Sequence, residues 1–451
     1  MTWAYRLVRA LARVIAGLFY RDLGLIGGEH FPASGPVIVA ANHQNALVDP
    51  MLMVAALPRA LRPLAKAPLF KHPLIRPFLS AVGALPVHRT KESSGDPKRN
   101  DAMFQAAANA LQRGEALLIF PEGVGHFEPM LQPLRTGAAR MLLSAEAQGA
   151  PPVTLLPVGL VFRKPGRFRA GAGAVLVGEA IETRDCVVLF ATQPEAAVRT
   201  LTTRLEEGLR HQIIEADTWR TEHLLRVAEE VWREEHGTET ADAPRDPLER
   251  TRWLGRIARG YRFLLSREPE RLRRLRRGLE AYSEVLERAG LRGRHLGQSY
   301  SFAGVARFTV REGLLLLITL PLAALGVILH GTAFWATDTA VRLANPSPDT
   351  EATYKIFGGL LFYPLTWAVE AWLAWNVGGP WALAAFIGLL MPCGFFALGW
   401  RERVSRGARE ARGLYRFLRH PDLLAHLARR REELATELAA LAATVPPEVL
   451  E

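Results

Sequence analysis

The feature that most restricts this 451-residue chain is the loss of charge toward its C-terminal end. Gly313–Leu329 is a 17-residue run without a charged side chain, and Ile318–Thr337 extends it. Ile356–Gly399 is a second apolar stretch, divided by Gly378-Gly379-Pro380 and carrying one charge, Glu370. About 20 helical residues at ~1.5 Å each cross the ~30 Å hydrocarbon layer. These lengths predict transmembrane helices over 311–400. A carboxylate at mid-span costs about 2.5–3.5 kcal/mol, so Glu370 is expected to face protein or to mark a segment that does not fully span. The flanks 250–311 and 401–419 are both basic, and positive flanks tend to stay cytoplasmic. Ends on one side require an even number of crossings, whereas three apolar lengths suggest an odd one. The expectation is two spans plus one re-entrant or interfacial segment.

Charge narrows the partners. Lys and Arg number 56 against 45 Asp and Glu, a net of +11. That balance favours anionic partners: nucleic acid, an anionic membrane surface or phosphorylated small molecules. No nucleic-acid motif is present, nor basic residues interleaved with stacking aromatics, so membrane lipids are the expected partner and nucleic acid is not. The two cysteines, Cys186 and Cys393, are far apart. They argue against a disulfide scaffold, and no Cys/His spacing suits a metal.

The first twenty residues do not read as a secretory signal, because Arg6, Arg9 and Arg13 interrupt any apolar core. Tyr5, Val8, Leu11, Ile15 and Leu18 recur at helical spacing. An amphipathic helix over residues 1–24 results, which either lies in a membrane interface with its cations near lipid phosphates or packs on the domain behind it.

Residues 25–190 alternate short apolar runs with helical stretches. Strands are expected at Val37–Ala41, Ala116–Phe120, Val153–Val161 and Ala174–Val177, and helices at Met51–Leu57, Arg99–Arg113 and Gly137–Ala147. That alternation predicts a layered α/β domain. Residues 191–310 turn helical, charged and basic, with amphipathic helices at Pro194–Ile214 and Trp219–Glu235, a linker at Pro244–Pro247 and a basic stretch Arg250–Arg288. Most of those charges read as a solvated face. Residues 401–451 form an amphipathic tail, helical over Leu423–Thr444 and ended by Pro446-Pro447.

Four clusters in the α/β part carry possible chemistry. The first is Asn42-His43-Gln44-Asn45-Ala46-Leu47-Val48-Asp49-Pro50, which follows the strand Val37–Ala41. Pro50 suits the first position of a helix, which makes Asp49 its expected N-cap. A neutral imidazole takes a proton from an attacking hydroxyl, and a carboxylate on its other nitrogen fixes the tautomer. No Ser or Cys nucleophile stands beside the pair, which suits direct attack by a substrate hydroxyl. The second cluster is Gly83-Ala84-Leu85-Pro86-Val87-His88-Arg89, whose arginine offers a planar fork to phosphate. The third is Phe120-Pro121-Glu122-Gly123, followed by His126, Arg135 and Gly137, where Gly137 opens a helix. The fourth is Val153–Leu156 followed by Pro157, a wall rather than a reactive group. Taken singly, each has a plain structural explanation: a surface cation, a turn carboxylate, a loop histidine, a strand-end proline. No Gly-x-Ser-x-Gly elbow of a hydrolase is visible.

In their order and spacing, the clusters resemble the four blocks of the phospholipid/glycerol acyltransferase family, which includes glycerol-3-phosphate and lysophosphatidic acid acyltransferases. The resemblance covers about residues 25–185. It implies an acyltransferase-type layered αβ domain with a mixed sheet, followed by a helical region and C-terminal transmembrane helices. It implies that His43 is the general base and Asp49 its partner. Gly83 and Arg89 match the second block, with Arg89 on the acceptor phosphate; beyond the resemblance, Arg135 and Lys91 are expected to add positive charge there. Glu122 and Gly123 match the third block, at the acceptor, and Pro157 the fourth, near the acyl donor. No cofactor is implied. The expected donor is acyl-CoA or an acyl carrier protein and the expected acceptor a glycerol phosphate; the apolar and basic segments predict an integral membrane protein with its catalytic domain on the cytoplasmic face. One departure stands out. The usual first block has four residues between His and Asp; this chain has five, similar to a branch with membrane segments after the catalytic domain. The Lys91–Asp101 stretch reads as a mobile flap over the acceptor or as a plain surface loop.

Overall fold

The computed structural model describes residues 2–20, 22–73, 75–88, 97–162, 168, 172–236, 247–289, 291, 302–419 and 421–450. Arg89 and residues 90–96, with Lys91, lie outside the described residues, as do 244–246 of the expected linker. The strands are β1 (Asp22–Ile26), β2 (Val37–Ala41), β3 (Leu61–Lys66), β4 (Leu85–Val87), β5 (Ala116–Ile119), β6 (Thr154–Phe162) and β7 (Ala172–Val177). The helices are α1 (Trp3–Phe19), α2 (Val48–Ala56), α3 (Arg76–Ala81), α4 (Pro97–Gln112), α5 (Gly137–Ala147), α6 (Arg184–Phe190), α7 (Pro194–Gln212), α8 (Trp219–His236), α9 (Pro247–Arg267), α10 (Pro269–Ala289), α11 (Phe302–Ala344), α12 (Glu351–Arg419) and α13 (Pro421–Ala442). The chain divides into two compact units.

The first unit runs through Glu222, and also holds α9 as far as Ala258 and the loop Ser347–Thr353. Its seven strands form one mixed sheet in the order β1-β7-β6-β2-β5-β3-β4, parallel except where β6 meets β7. β2 and β5 are buried along their whole length. Strands covered on both faces read as unbroken apolar runs, which is why these strands were legible in the sequence. β1, β3 and β4 were not. β3 carries Arg62, Pro63 and Lys66. It pairs β5 through Leu61–Pro63 and β4 through Leu64–Lys66, so neither neighbour demands a continuous apolar run.

The core on one face of the sheet continues into α7, through Ala197, Leu201, Leu205 and Leu209. The boundary expected at residue 190 therefore falls inside a single core.

α1 packs on this unit through Tyr5, Arg9, Ala12, Ala16 and Phe19. Its arginines have a local purpose. Arg9 donates to the carbonyls of Pro58, at 3.1 Å, and Leu57, while Arg13 Nε donates to the Ala55 carbonyl at 3.0 Å. The last carbonyls of a helix have no partner within it and favour cations, so α1 caps the C-terminal end of α2. The opposite face of α1 leaves Trp3, Leu7 and Val14 exposed by 74%, 61% and 59%.

The second unit holds the rest. Leu224 and Val231 of α8, Leu264 of α9, Leu275, Leu279 and Tyr282 of α10 and Leu427, Leu434 and Leu441 of α13 form its helical core. α11 and α12 are long and apolar enough to cross a membrane, over Ala306–Ala344 and Glu351–Ser405. Within α12 the backbone leaves helical geometry at Gly378 and Gly379, the division read from the sequence. From Leu390 to Arg403, α12 runs antiparallel to α11. His330 meets the Leu390 carbonyl at 2.8 Å, Trp400 Nε1 donates to the Leu316 carbonyl at 3.2 Å, and Arg403 Nε to Glu312 at 2.8 Å. Oε1 of Glu370 lies 3.5 Å from the Thr332 hydroxyl.

Candidate active site

The site is assembled at the ends of two neighbouring strands. β2 and β5 are parallel with Ala40 opposite Ile119. Three residues on, His43 and Glu122 leave the sheet side by side, although 79 positions separate them in sequence. This is the carboxyl edge of the sheet, where open α/β folds bind ligands. Asn42, fully buried, fixes the end of β2. Its amide donates to the Leu160 carbonyl at 3.0 Å and its oxygen accepts the Leu160 amide hydrogen at 2.6 Å. His43 is thus anchored to strands on both sides.

His43 Nδ1 lies 2.9 Å from Oδ2 of Asp49, which also accepts the Asn45 amide hydrogen at 2.7 Å. The Asp49 side chain is wholly buried, and that of His43 is 16% exposed. An acceptor on the Nδ1 side holds the proton there and leaves the lone pair on Nε2. The His43 ring stacks on Phe120, centroid to centroid 4.2 Å, which limits its rotation. Tyr20 is buried nearby. Its phenol is pushed above its ordinary value by burial first and by the Asp49 charge second.

One expectation is corrected. Asp49 is not the N-cap of its helix: α2 begins at Val48 with Leu47 as N-cap, and Asp49 is its second residue. Pro50 is therefore third rather than first. The first four helical amides have no intrahelical acceptor, so proline is equally tolerated there. The fifth residue between His43 and Asp49 is absorbed by starting the helix before Asp49, and the carboxylate still reaches the imidazole.

Glu122 is as buried as Asp49, and both its oxygens are engaged. Oε1 accepts the His43 amide hydrogen at 3.1 Å, and Oε2 meets Nε2 of His126. His126 Nδ1 accepts the Glu128 amide hydrogen at 3.1 Å, which places the imidazole proton on Nε2, toward Glu122. The His126 amide donates back to the His43 carbonyl at 3.1 Å. The turn after β5 and the loop after β2 are thereby bound together in both directions.

Gly123 has φ +73°, and a Cβ there would stand 2.5 Å from Arg135 Nε. The turn needs the left-handed conformation that glycine adopts freely, and Arg135 crosses directly over it. Gly83, at φ +63°, sits in the turn before β4, its carbonyl accepting from Arg62 Nε at 2.8 Å. Pro157 lies within β6 opposite Ala40. It is buried and packs toward Gly178, after β7, and Gly208 of α7. The described residues therefore bring together His43, Asp49, Glu122, Gly123 and Arg135. Gly83 stands apart from them, in the turn before the edge strand β4.

Sequence reasoning missed the stacking of Phe120 on His43 and the loop Ser347–Thr353, which belongs to this unit. The loop's Thr353 hydroxyl accepts the Leu47 amide hydrogen at 3.3 Å. No local pattern flags a partner 306 positions away.

Residues 24–161 match the acyltransferase family model. Human 1-acyl-sn-glycerol-3-phosphate acyltransferase alpha is 26% identical over 172 residues, covering 38% of this chain and 59% of that protein. Glycerol-3-phosphate O-acyltransferase 1 of Saccharomyces cerevisiae is 25% identical over 272 residues, 56% of this chain and 35% of that protein. An uncharacterized acyltransferase of Schizosaccharomyces pombe is 23% identical, over 52% of this chain and 48% of that protein. The chain thus spans about half the length of the curated relatives it matches. Among solved structures, the 1-acyl-sn-glycerophosphate acyltransferase PlsC of Thermotoga maritima aligns with TM-score 0.33 and 19% identity, over 45% of this chain and 78% of that one.

Proposed function

We propose, from the premise that residues 24–161 form an acyltransferase-family domain, that this protein moves a fatty acyl group from a thioester onto a hydroxyl of glycerol 3-phosphate. The observation that carries the reading is the His43–Asp49 contact of 2.9 Å at the carboxyl edge of the sheet. The thioester is acyl-CoA or acyl carrier protein. His43 Nε2 accepts the hydroxyl proton as the oxygen attacks the thioester carbonyl carbon, and Asp49 stabilises the resulting imidazolium. The tetrahedral intermediate then collapses, the carbon–sulfur bond breaks, and the thiolate leaves as a thiol with the proton from Nε2. Positioned general-base help of this kind contributes roughly 10²–10⁴-fold.

An oxyanion requires fixed donors. The Met51 amide is engaged by the Leu47 carbonyl, and the Gly123 and His126 amides by Phe120 and His43. The proposed donors are the Val124 and Gly125 amides of the same turn. Arg135, with Arg89, holds the acceptor phosphate, so Arg89→Ala raises the acceptor KM. α11 and α12 anchor the protein in the membrane, with the catalytic unit on the cytoplasmic face. A second reading, acylation of 1-acyl-glycerol 3-phosphate, is favoured by the human relative, whose name states that acceptor.

The test incubates purified protein with labelled acyl-CoA or acyl carrier protein and, in turn, glycerol 3-phosphate, dihydroxyacetone phosphate and 1-acyl-glycerol 3-phosphate. Acylation of glycerol 3-phosphate supports the reading. Acylation of 1-acyl-glycerol 3-phosphate alone selects the second reading, and no acylated product with any donor removes both.

A further inference from the structure

The loop between α11 and α12 comes near the Nε2 edge of the imidazole, the edge opposite the one that meets Asp49. Ser347–Thr353 belongs to the same compact unit as His43. It is held in place twice: the Thr353 hydroxyl accepts the amide hydrogen of Leu47 at the N-cap of α2, and Ala352 is fully buried. Within it the Ser347 carbonyl accepts from the Thr350 and Glu351 amides at 2.9 and 3.0 Å, a closed turn that presents Asp349. The open position above Gly125 locates that side chain. A Cβ built there would lie 3.5 Å from Oδ2 of Asp349 and 3.7 Å from Nε2 of His43. The two atoms therefore face one small space across Gly125, and their separation cannot exceed the sum of those distances.

That space is where the acceptor hydroxyl must sit to give its proton to Nε2. A carboxylate on its far side is an acceptor, and it repels a phosphate. It thus orients a glycerol phosphate with its phosphate away, toward Arg135 beside Gly123, and a hydroxyl inward. A bent vicinal diol with a hydrogen bond of ~2.8 Å at each end can be accommodated within that bound. We propose that Asp349 is the specificity residue that accepts a hydrogen bond from the second hydroxyl of the acceptor, so that the site selects a glycerol phosphate with two free, adjacent hydroxyls. This rests on the reading of the protein as a glycerol-phosphate acyltransferase. In a site built to bond a hydroxyl, an analogue that lacks it leaves a polar group unpaired and is rejected strongly.

The experiment deletes the bond from each side. The full-length protein and Asp349→Ala and Asp349→Asn variants are assayed with acyl-CoA and two acceptors: glycerol 3-phosphate, and 3-hydroxypropyl phosphate, which keeps the primary hydroxyl and phosphate but lacks the second hydroxyl. The wild-type protein is expected to favour glycerol 3-phosphate by about 10- to 100-fold in kcat/KM, the range for hydrogen bonds to a charged group. Asp349→Ala brings that ratio close to one by losing activity on glycerol 3-phosphate alone, and Asp349→Asn retains part of it. Melting temperatures equal to wild type show that the loop variants are folded. Equal losses on both acceptors, or no loss on either, overturn the proposal. A wild-type protein that acylates only 1-acyl-glycerol 3-phosphate also overturns it, while leaving the enzyme reading intact. Failure with every acceptor overturns both.

Discussion

The imidazole of His43 and the carboxylate of Asp49 meet at 2.9 Å across five intervening residues, with the carboxylate fully buried and its Oδ2 shared with the Asn45 amide. Asp49→Asn tests whether that contact sets the tautomer. An amide in the same place offers Nδ1 either a donor or a weaker acceptor, and it no longer stabilises an imidazolium. The expected result is a kcat lower by about 10²–10⁴-fold with the acceptor KM little changed, measured by steady-state acylation. A change confined to KM would place Asp49 at the substrate instead.

Glu122 was expected at the acceptor, yet its two oxygens are taken by the His43 amide and by His126. These contacts make it a positioning residue for His43 in the proposed reaction. Glu122→Ala leaves the His43 amide without its acceptor, at a cost of about 1–3 kcal/mol for a buried donor. A lower melting temperature and a lower kcat should appear together, with the acceptor KM within a few-fold of wild type. A large rise in KM at unchanged stability would show that Glu122 touches the acceptor.

Gly123→Ala separates backbone need from phosphate binding. Holding a non-glycine residue at φ +73° costs about 1–2 kcal/mol, and the added methyl collides with Arg135. The variant should melt lower and show a raised acceptor KM. Arg135→Ala should raise the KM alike without the loss of stability. If Arg135→Ala leaves the KM unchanged, the phosphate does not sit there.

The helical core of the second unit predicts a pH effect. Burial first, then the neighbouring Glu230, push the Glu234 carboxyl from 4.5 up to about 7, against the pull of Arg431 and Arg233. A carboxyl raised on folding stays protonated in the folded chain where the unfolded chain has released its proton. Stability is therefore full below 4.5 and declines as pH rises to about 7, a total of about 3 kcal/mol. Glu234→Gln should melt above wild type at pH 7.5 and match it at pH 4.5. A difference that does not change with pH would contradict the assignment.

The central strands of the sheet were legible because burial on both faces demands unbroken apolar runs, as in Val37–Ala41 and Ala116–Ile119. The motifs were legible through their resemblance to the family's blocks; that parallel register carries His43 and Glu122 off adjacent strands at one level was not. The helix start was not. Pro50 marks a helix beginning, but proline is tolerated at any of the first positions, and the chain uses the third. The arginines of α1 pointed to lipid phosphates as readily as to protein. Arg9 and Arg13 instead cap α2, whose end the sequence does not set beside α1. Asp349 was illegible because it lies 306 positions from His43 and no local pattern marks it.

The most direct test of the account is acyl transfer by His43→Ala. Full-length wild-type and variant proteins, matched for melting temperature and membrane association, are given labelled acyl-CoA and glycerol 3-phosphate. The account predicts that the variant loses at least about 10²-fold in kcat while remaining folded and membrane-bound. Turnover by the variant close to wild type would contradict it.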